Sequence, residues 1–386
     1  MVATVVLMAC AGAFGVLAAL TVTMGLPYDE PSHWSNVLFI LEHGRLPVLG
    51  EPGVTYEGQQ TPLYYLSVAG LARLVGESLF AVRLLGVLGL IALTGLTSVI
   101  VASTARRGTI VIVAATAFIA FNPMLIVMSA SVQNDTWALV WGFVAIAVSL
   151  NPVRGPRWLT GLAVGIAATL AILTKVSMAP LLIALVIAYV LRRRLIEPIV
   201  AVAVVGAGTS WWFVRNLILY DDLTGQSAVE LTGAVFENVP AGPVELMQRI
   251  LTYLTLPTEY LRNTIAAPAW VDATALYVGV VLLVGLVLLA VREWRGLERW
   301  GLLVVCVVAA VSFAAWIIQS QLGWPVAFRT AYAALPLCAL AAGTATRVFR
   351  ARWVGPAVLA TTSVAQLAAG IWVVNAILSL DPAPML

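Results

Sequence analysis

Charged side chains are scarce in this sequence. Asp, Glu, Lys and Arg make up 10% of its 386 residues, whereas hydrophobic residues make up 61%. An ordinary soluble domain is about 25% charged, so a surface that faces water cannot be built from this composition. The scarcity of charge therefore excludes a soluble globular protein and indicates one that is embedded in a membrane.

Cysteine and lysine are rarer still. The three cysteines, Cys10, Cys306 and Cys338, all lie inside apolar runs, where free cysteine behaves as a small hydrophobic residue. Their positions therefore predict neither disulfides nor a zinc site. Every basic residue except Lys175 is an arginine, and the arginines are dispersed over short loops. Because they make no continuous basic patch, the sequence argues against nucleic-acid binding.

Long apolar runs, in contrast, are abundant. About 20 apolar residues cross a bilayer as a helix, and the runs are continuous rather than alternating, which excludes a β-barrel. We therefore predict a single all-α, polytopic domain over residues 1–386 with about eleven transmembrane helices. The predicted spans are 2–26, 79–104, 109–129, 136–150, 158–174, 177–191, 196–219, 273–291, 300–318, 330–346 and 353–378.

Two segments between the predicted spans are long. The first covers residues 27–78 and includes an apolar stretch at 62–76, which Arg73 interrupts. We predict that this stretch is a helix lying at the membrane surface and not a span. The second segment covers residues 220–272, and its apolar stretch at 244–256 suits the membrane interface.

The basic residues predict the orientation, because cytoplasmic loops are enriched in Lys and Arg. With the N-terminus in the cytoplasm, 13 of the 21 basic residues fall in five short inner loops, and 15 of the 18 acidic residues fall outside. We therefore predict a multi-pass cell-membrane protein with a cytoplasmic N-terminus and an extracytoplasmic C-terminus. The inner basic residues are Arg106, Arg107, Arg154, Arg157, Arg192, Arg193, Arg194, Arg292, Arg295, Arg299, Arg347, Arg350 and Arg352.

Two adjacent acids stand near the start of the first outer segment. Asp29 and Glu30 precede Pro31, which suits the first turn of a helix, and an acid just before it suits the N-cap. Asp29 and His33 are four residues apart and would share one face of that helix. Local physics leaves two interpretations open: a functional pair, or a capped helix at the membrane interface with Trp34 among the interfacial aromatic residues.

The motifs that follow resemble a known family. After Asp29-Glu30-x-x-His33 come Gly44-x-x-Pro47, then Gln60-Thr61-Pro62-Leu63-Tyr64-Tyr65, then Arg83-Leu84. This order resembles that of the GT-C-type membrane glycosyltransferases, such as protein O-mannosyltransferases and the lipid A aminoarabinose transferase. The glutamine motif of that family has two adjacent prolines, and this sequence has one of them.

Later elements extend the resemblance to about residue 340. They are Gln133-Asn134-Asp135, Thr174-Lys175, the stretch 211–216 with Tyr220 and Gly225, and Arg329 with Tyr332 and Pro336. The resemblance implies an enzyme that moves a sugar from a polyprenyl-phosphate carrier to an acceptor at the outer membrane face. The implied partners are this lipid-linked donor, the bilayer, and a glycan, lipid or protein acceptor.

The resemblance also implies roles for particular residues. Asp29 is the expected general base, since a positioned carboxylate can take the proton of an acceptor hydroxyl, and Glu30 beside it could orient Asp29, bind a metal or face solvent. Fixed cations would stabilise the leaving phosphate, and the candidates are Arg215, Arg329 and Lys175. The alternative for these three cations is that they snorkel to lipid phosphates.

A further set of side chains is expected to contact the donor or acceptor sugar: His33, Gln60, Tyr64, Tyr65, Asn134, Asp135 and Tyr332. Asp29, Asp135 and His33 could instead converge on a divalent cation, with Mg or Mn favoured by oxygen ligands and Zn left open by the histidine. Catalysis without a cofactor stays open as well, because some family members work without metal and Asp135 could simply cap the fourth span.

Two other functions compete with the enzyme. A transporter of lipids or glycans would carry charged residues near mid-membrane, and the predicted spans are nearly free of charge away from their ends. A non-catalytic scaffold that retains the fold stays open, because the missing proline and the short length for the family could mark lost activity.

Overall fold

The computed structural model describes residues 1–22, 29–104, 108–233, 242–246, 250, 267–293, 300–321, 328–348 and 353–379, with the side chains of 293, 328–330, 377 and 378 excluded. Several positions with sequence-based predictions lie outside this description. They are the start of the first outer segment at 27–28, most of the stretch 244–256, the side chain of Arg329, and the inner-loop residues Arg106, Arg107, Arg295, Arg299, Arg350 and Arg352.

The described residues form helices with no strand among them, which confirms the all-α prediction. The helices are α1 (Val2–Thr21), α2 (Glu30–His43), α3 (Leu63–Val75), α4 (Leu79–Thr104), α5 (Thr109–Ala120), α6 (Pro123–Ser129), α7 (Asp135–Leu150), α8 (Arg157–Thr174), α9 (Ala179–Leu191), α10 (Ile196–Tyr220), α11 (Ala269–Glu293), α12 (Trp300–Gln321), α13 (Leu335–Ala345) and α14 (Val354–Leu378). Three-ten turns lie at Tyr56–Gln59, Val176–Met178, Gln226–Thr232 and Phe328–Ala334.

Within the described part of the chain, seven helices are long and apolar enough to cross a membrane: α1, α4, α8, α10, α11, α12 and α14. Helices α5 and α6 meet at a bend of 50° and together would make an eighth span. Helices α7, α9 and α13 coincide with the remaining predicted spans but are shorter. The multi-span architecture is thus confirmed, whereas the count of eleven is not.

The first outer segment forms a compact unit of its own. Helix α2 packs against α3, and α3 packs against α4 and α8. Trp34 is buried in the apolar cluster that joins α2 to α3, so its ring packs against protein side chains. Besides Trp34, this cluster includes Val37, Ile40, Tyr64, Tyr65, Val68, Ala69, Val82 and Val132.

A buried ion pair joins this segment to the membrane helices. Arg83, near the start of α4, donates from Nε to Glu30 Oε1 at 2.8 Å and from Nη2 to Glu30 Oε2 at 2.5 Å. Arg83 Nη1 also donates to the carbonyl oxygens of Ala19 at 3.1 Å and Val22 at 2.6 Å. The backbone N–H of Val132 donates to Glu30 Oε1 at 2.8 Å. The pair therefore connects the end of α1, the start of α2, the start of α4 and the segment before α7.

Glycine residues let other helices approach backbone to backbone. A Cβ atom on Gly161 of α8 would lie 2.6 Å from the carbonyl oxygen of Glu197 on α10. A Cβ atom on Gly285 of α11 would overlap the carbonyl group of Ala341 on α13. Small residues at such contacts are typical of membrane proteins, in which close packing holds the helices together.

Gly285→Ala should destabilise the protein. The added methyl group would meet backbone, which cannot rotate away, and overpacking of this kind costs about 1–3 kcal/mol. Gly206→Ala on α10 is the matched control, because a Cβ atom there meets no atom within 4 Å. Thermal unfolding of the detergent-solubilised protein measures both, and equal melting temperatures for the two variants would contradict the close packing of α11 on α13.

Loss of Arg83 should have a larger effect. Arg83→Met leaves the Glu30 carboxylate buried and unpaired, which typically costs about 3–5 kcal/mol. The control is Arg45→Met, which breaks the exposed Arg45–Glu51 pair at 2.8 Å, a kind of pair worth about 0–1 kcal/mol. The same unfolding measurement compares them, and an Arg83→Met variant as stable as Arg45→Met would show that the buried pair does not hold the segment in place.

Candidate functional site

Asp29 occupies the N-cap position of α2, but its side chain makes no capping hydrogen bond. The carboxylate is buried and accepts a hydrogen bond from the Tyr56 hydroxyl to Oδ1 at 3.0 Å. Asp29 thus occupies the predicted N-cap position, but its carboxylate is directed to another side chain and not to its own helix.

Three buried side chains surround this position. One ligand atom each from Asp29, His33 and Glu57 lies within 4.8 Å of the other two. Asp29 and His33 come together because they are four residues apart on α2, as the spacing predicts. Glu57 arrives from the three-ten turn Tyr56–Gln59. We did not predict Glu57 or Tyr56 from the sequence, although both stand immediately before the glutamine motif.

His33 and Tyr65 connect this group to α3. His33 Nδ1 lies 2.6 Å from the Tyr65 hydroxyl, and the two rings stack at 5.8 Å. Tyr64 packs edge-on against Tyr65 at 5.6 Å between ring centroids. Both tyrosines are buried, so the predicted sugar-contacting residues His33, Tyr64 and Tyr65 do lie together.

Burial raises the pKa of the tyrosines further above neutral pH. Burial first, and then the charges of Asp29 and Glu57, raise the pKa of Tyr56 above its ordinary value. Burial and the Glu57 charge likewise raise the pKa of Tyr65. These phenols therefore remain protonated at neutral pH, which allows Tyr56 to donate its hydrogen bond to Asp29.

Glu30 has a different environment from Asp29. Its side chain is 0% exposed and is held by Arg83 and by the backbone of Val132. The alternative in which Glu30 faces solvent is therefore wrong. The sequence signal for its partner was a lone arginine at the start of a long apolar run, since a charge in that place needs a partner.

Asp135 and Lys175 form a second buried pair, in which Lys175 Nζ donates to Asp135 Oδ1 at 2.7 Å. The N-cap residue of α7 is Asn134, and Asp135 is the first helical residue. The interpretation of Asp135 as a simple cap is therefore wrong, and so is that of Lys175 as a snorkelling side chain. Asp135 lies outside the group of Asp29, His33 and Glu57, so the predicted metal-ligand set is not the one that the described residues bring together.

An amide contact links the glutamine motif to α7. Asn134 Nδ2 donates to Gln60 Oε1 at 3.3 Å. Asn134 is fully buried, whereas Gln60 is half-buried. These two predicted sugar-contacting residues therefore lie side by side, next to the Asp135–Lys175 pair.

Arg215 on α10 contacts the first outer segment. Its Nη2 donates to the carbonyl oxygen of Pro47 at 2.7 Å, and its guanidinium group lies 4.9 Å above the ring of Trp212. Nearby, the N–H of Leu49 donates to the Tyr220 hydroxyl at 3.1 Å. Arg215 thus binds protein rather than reaching for lipid, and the structure does not bring it to the Asp135–Lys175 pair through any described contact.

The last predicted residues lie late in the chain. Tyr332 is 1% exposed and belongs to the main hydrophobic core. It follows Arg329 in the three-ten segment Phe328–Ala334, and the side chain of Arg329 lies outside the described residues. The phosphate-binding role of Arg329 and the sugar-binding role of Tyr332 stay predictions.

Comparisons with known proteins add to this geometry. Residues 59–211 match the family described as dolichyl-phosphate-mannose-protein mannosyltransferase. The matched range includes Gln60, Tyr64, Arg83, Asp135 and Lys175, but it begins after Asp29 and His33. No curated protein is significantly similar to the chain in sequence.

Solved structures are similar over nearly the whole chain. ArnT from Cupriavidus metallidurans in the apo state aligns with a TM-score of 0.63 and 14% identity over 91% of this chain, which spans 61% of the ArnT chain. ArnT bound to undecaprenyl phosphate aligns at 0.60 and 14% identity, covering 97% of this chain and 76% of ArnT. The archaeal oligosaccharyltransferase AglB from Archaeoglobus fulgidus, in complex with an inhibitory peptide and a dolichol-phosphate, aligns at 0.57 and 14% identity, covering 99% of this chain and 56% of AglB.

At 14% identity, the matches to solved structures establish the fold alone. They agree with the motif order in the sequence and with the family match over the central part of the chain. The chain has the fold of the GT-C-type membrane glycosyltransferases.

Proposed function

We propose that this protein is a membrane glycosyltransferase that moves a sugar from a polyprenyl-phosphate carrier to an acceptor hydroxyl at the extracytoplasmic face, with Asp29 as the general base. The observation that carries the proposal is the buried Asp29 carboxylate, which Tyr56 contacts at 3.0 Å and which lies in one group with His33 and Glu57. The distribution of the arginines supports the extracytoplasmic location.

The reaction requires a base because an acceptor hydroxyl is a weak nucleophile. Asp29 takes the proton, the acceptor oxygen bonds to the anomeric carbon of the sugar, and the bond from that carbon to the phosphate oxygen breaks. The phosphate leaves on its lipid carrier. A carboxylate can accept about four hydrogen bonds, so the contact with Tyr56 orients Asp29 and still allows it to accept a substrate proton.

The phosphate needs cationic stabilisation as it leaves. Lys175 is suited to this, because an ammonium group has three donors and the 2.7 Å bond to Asp135 fixes its position. Asp135 is then a positioning residue for Lys175. The solved relatives support a lipid-linked donor, since one of them binds undecaprenyl phosphate and another a dolichol-phosphate. The other predicted phosphate ligands, Arg215 and Arg329, stay secondary candidates.

A divalent cation is the second part of the proposal. Asp29, His33 and Glu57 fit such an ion, because their ligand atoms already lie within 4.8 Å of one another and all three side chains are buried. Two carboxylates favour Mg or Mn, and the histidine nitrogen leaves Zn open. A bound cation would neutralise charge at the donor phosphate.

Asp29→Asn should abolish the transfer. The substitution preserves the shape of the side chain but removes its basicity, and a loss of about 10²- to 10⁴-fold is typical for a general base. Release of polyprenyl phosphate from a panel of polyprenyl-phosphate sugars, with a membrane extract as the source of acceptor, measures the rate. The matched control is Asp272→Asn, since Asp272 is exposed on α11.

Two results of the release measurement would contradict the proposal. Equal release by wild type and Asp29→Asn would remove Asp29 as the base and direct attention to Glu57. A transporter or a non-catalytic scaffold would release no polyprenyl phosphate in either form, and it would be indifferent to the substitution.

Metal binding can be tested with the two histidines of the chain. His33→Asn should weaken binding of Mn²⁺ or Zn²⁺ at least about tenfold, because removal even of groups that only orient a metal ligand costs this much. His43→Asn at the exposed end of α2 should change nothing. Metal content after dialysis, together with Mn²⁺ electron paramagnetic resonance, gives the affinity. A wild-type protein that retains neither ion, or equal binding by both variants, would exclude the cation from this group.

A further inference from the structure

Several buried polar atoms just before α7 and in the glutamine motif have no hydrogen-bond partner among the described residues. Gln133 is 1% exposed, and neither its Nε2 nor its Oε1 has a partner within the described part of the chain. The same holds for Asn134 Oδ1 and Thr61 Oγ1, whose side chains are equally buried. Native proteins pair the large majority of such atoms, so a group of them in one place calls for an explanation.

The chain around Gln133 lies within the candidate site. The residue before it, Val132, donates to Glu30, and the residue after it, Asn134, contacts Gln60. The Tyr64 side chain lies beside the Gln133 backbone. Thr61 directly follows Gln60 in the glutamine motif. These polar atoms therefore belong to the same region as the proposed base and the Asp135–Lys175 pair.

We infer that Gln133, Asn134 and Thr61 form the subsite that binds the hydroxyl groups of the transferred sugar, and that this sugar is uncharged. The inference rests on the proposed function and adds to it the chemical class of the substrate. Gln133 is the main specificity-determining residue, because both ends of its amide need a partner.

The chemistry of the amide favours a hydroxyl over a charged group. An amide has one donating and one accepting end, and a sugar hydroxyl both donates and accepts. The ammonium group of an amino sugar only donates and would leave the Gln133 nitrogen unsatisfied. The carboxylate of a uronic acid only accepts and would leave the Gln133 oxygen unsatisfied. This reasoning holds for either orientation of the Gln133 amide.

The experiment isolates the contribution of the sugar to binding. The dissociation constants of bare polyprenyl phosphate and of the same carrier bearing a neutral hexose, an amino sugar or a uronic acid are measured by tryptophan fluorescence, with the full chain in lipid nanodiscs. The ratio between bare and sugar-bearing carrier is the gain due to the sugar. The variants are Gln133→Met and, as the matched control, Gln366→Met, because Gln366 is another 1% exposed glutamine with an unpaired oxygen but contacts Phe118 instead.

In wild type, a hexose should increase the affinity for the carrier more than either charged sugar does. Gln133→Met should reduce the gain from the hexose about tenfold, the equivalent of one to two lost hydrogen bonds, while binding of the bare carrier is unchanged and reports that the variant is folded. Gln366→Met should keep the full gain.

Three results would overturn the inference: no gain from the hexose in wild type, a larger gain from a charged sugar, or a gain in Gln133→Met within twofold of wild type. Because these are binding measurements, they are independent of turnover. Loss of the proposed function would instead appear as the absence of Asp29-dependent polyprenyl phosphate release, whatever the ratio of dissociation constants.

Discussion

The buried pair of Arg83 and Glu30 is the interaction on which the candidate site depends. A charge taken out of water is costly unless it is paired and hydrogen-bonded, and here Arg83 donates to both oxygens of Glu30 and to the carbonyl groups of Ala19 and Val22. The pair therefore fixes where α2 begins relative to α1 and α4. Because Asp29 is the residue next to Glu30, its position is fixed by the same contacts.

Pairing also divides the acidic residues of the site into two kinds. Glu30 and Asp135 each have a cationic partner, Arg83 and Lys175 respectively, and are thereby held in one position. Asp29 and Glu57 have instead a phenol and an imidazole in their surroundings, which are groups that can exchange protons or share a metal ion. Of the two acids closest to Asp29, Glu30 is therefore compensated by Arg83, whereas Glu57 shares the surroundings of Asp29 and His33.

Hydrogen bonds join residues 29–78 to the end of α10 and to the residues that follow it. Arg215 and Tyr220, at the end of α10, bind the backbone of Pro47 and Leu49, and Gln59 contacts Gln226 at 3.4 Å. The turn that carries Tyr56 and Glu57 therefore contacts the segment that follows α10.

The sequence by itself determined the features that depend on local patterns: an all-α membrane protein from its apolar runs, and Asp29 and His33 on one face of a helix from their spacing of four. Only the tertiary structure decided which distant groups meet. Glu30 and Arg83 are 53 residues apart, Asp135 and Lys175 are 40 apart, and Glu57 reaches Asp29 through a turn. Helical periodicity determines which side chains share a face of one helix, whereas ion pairs between helices depend on how the helices pack against each other.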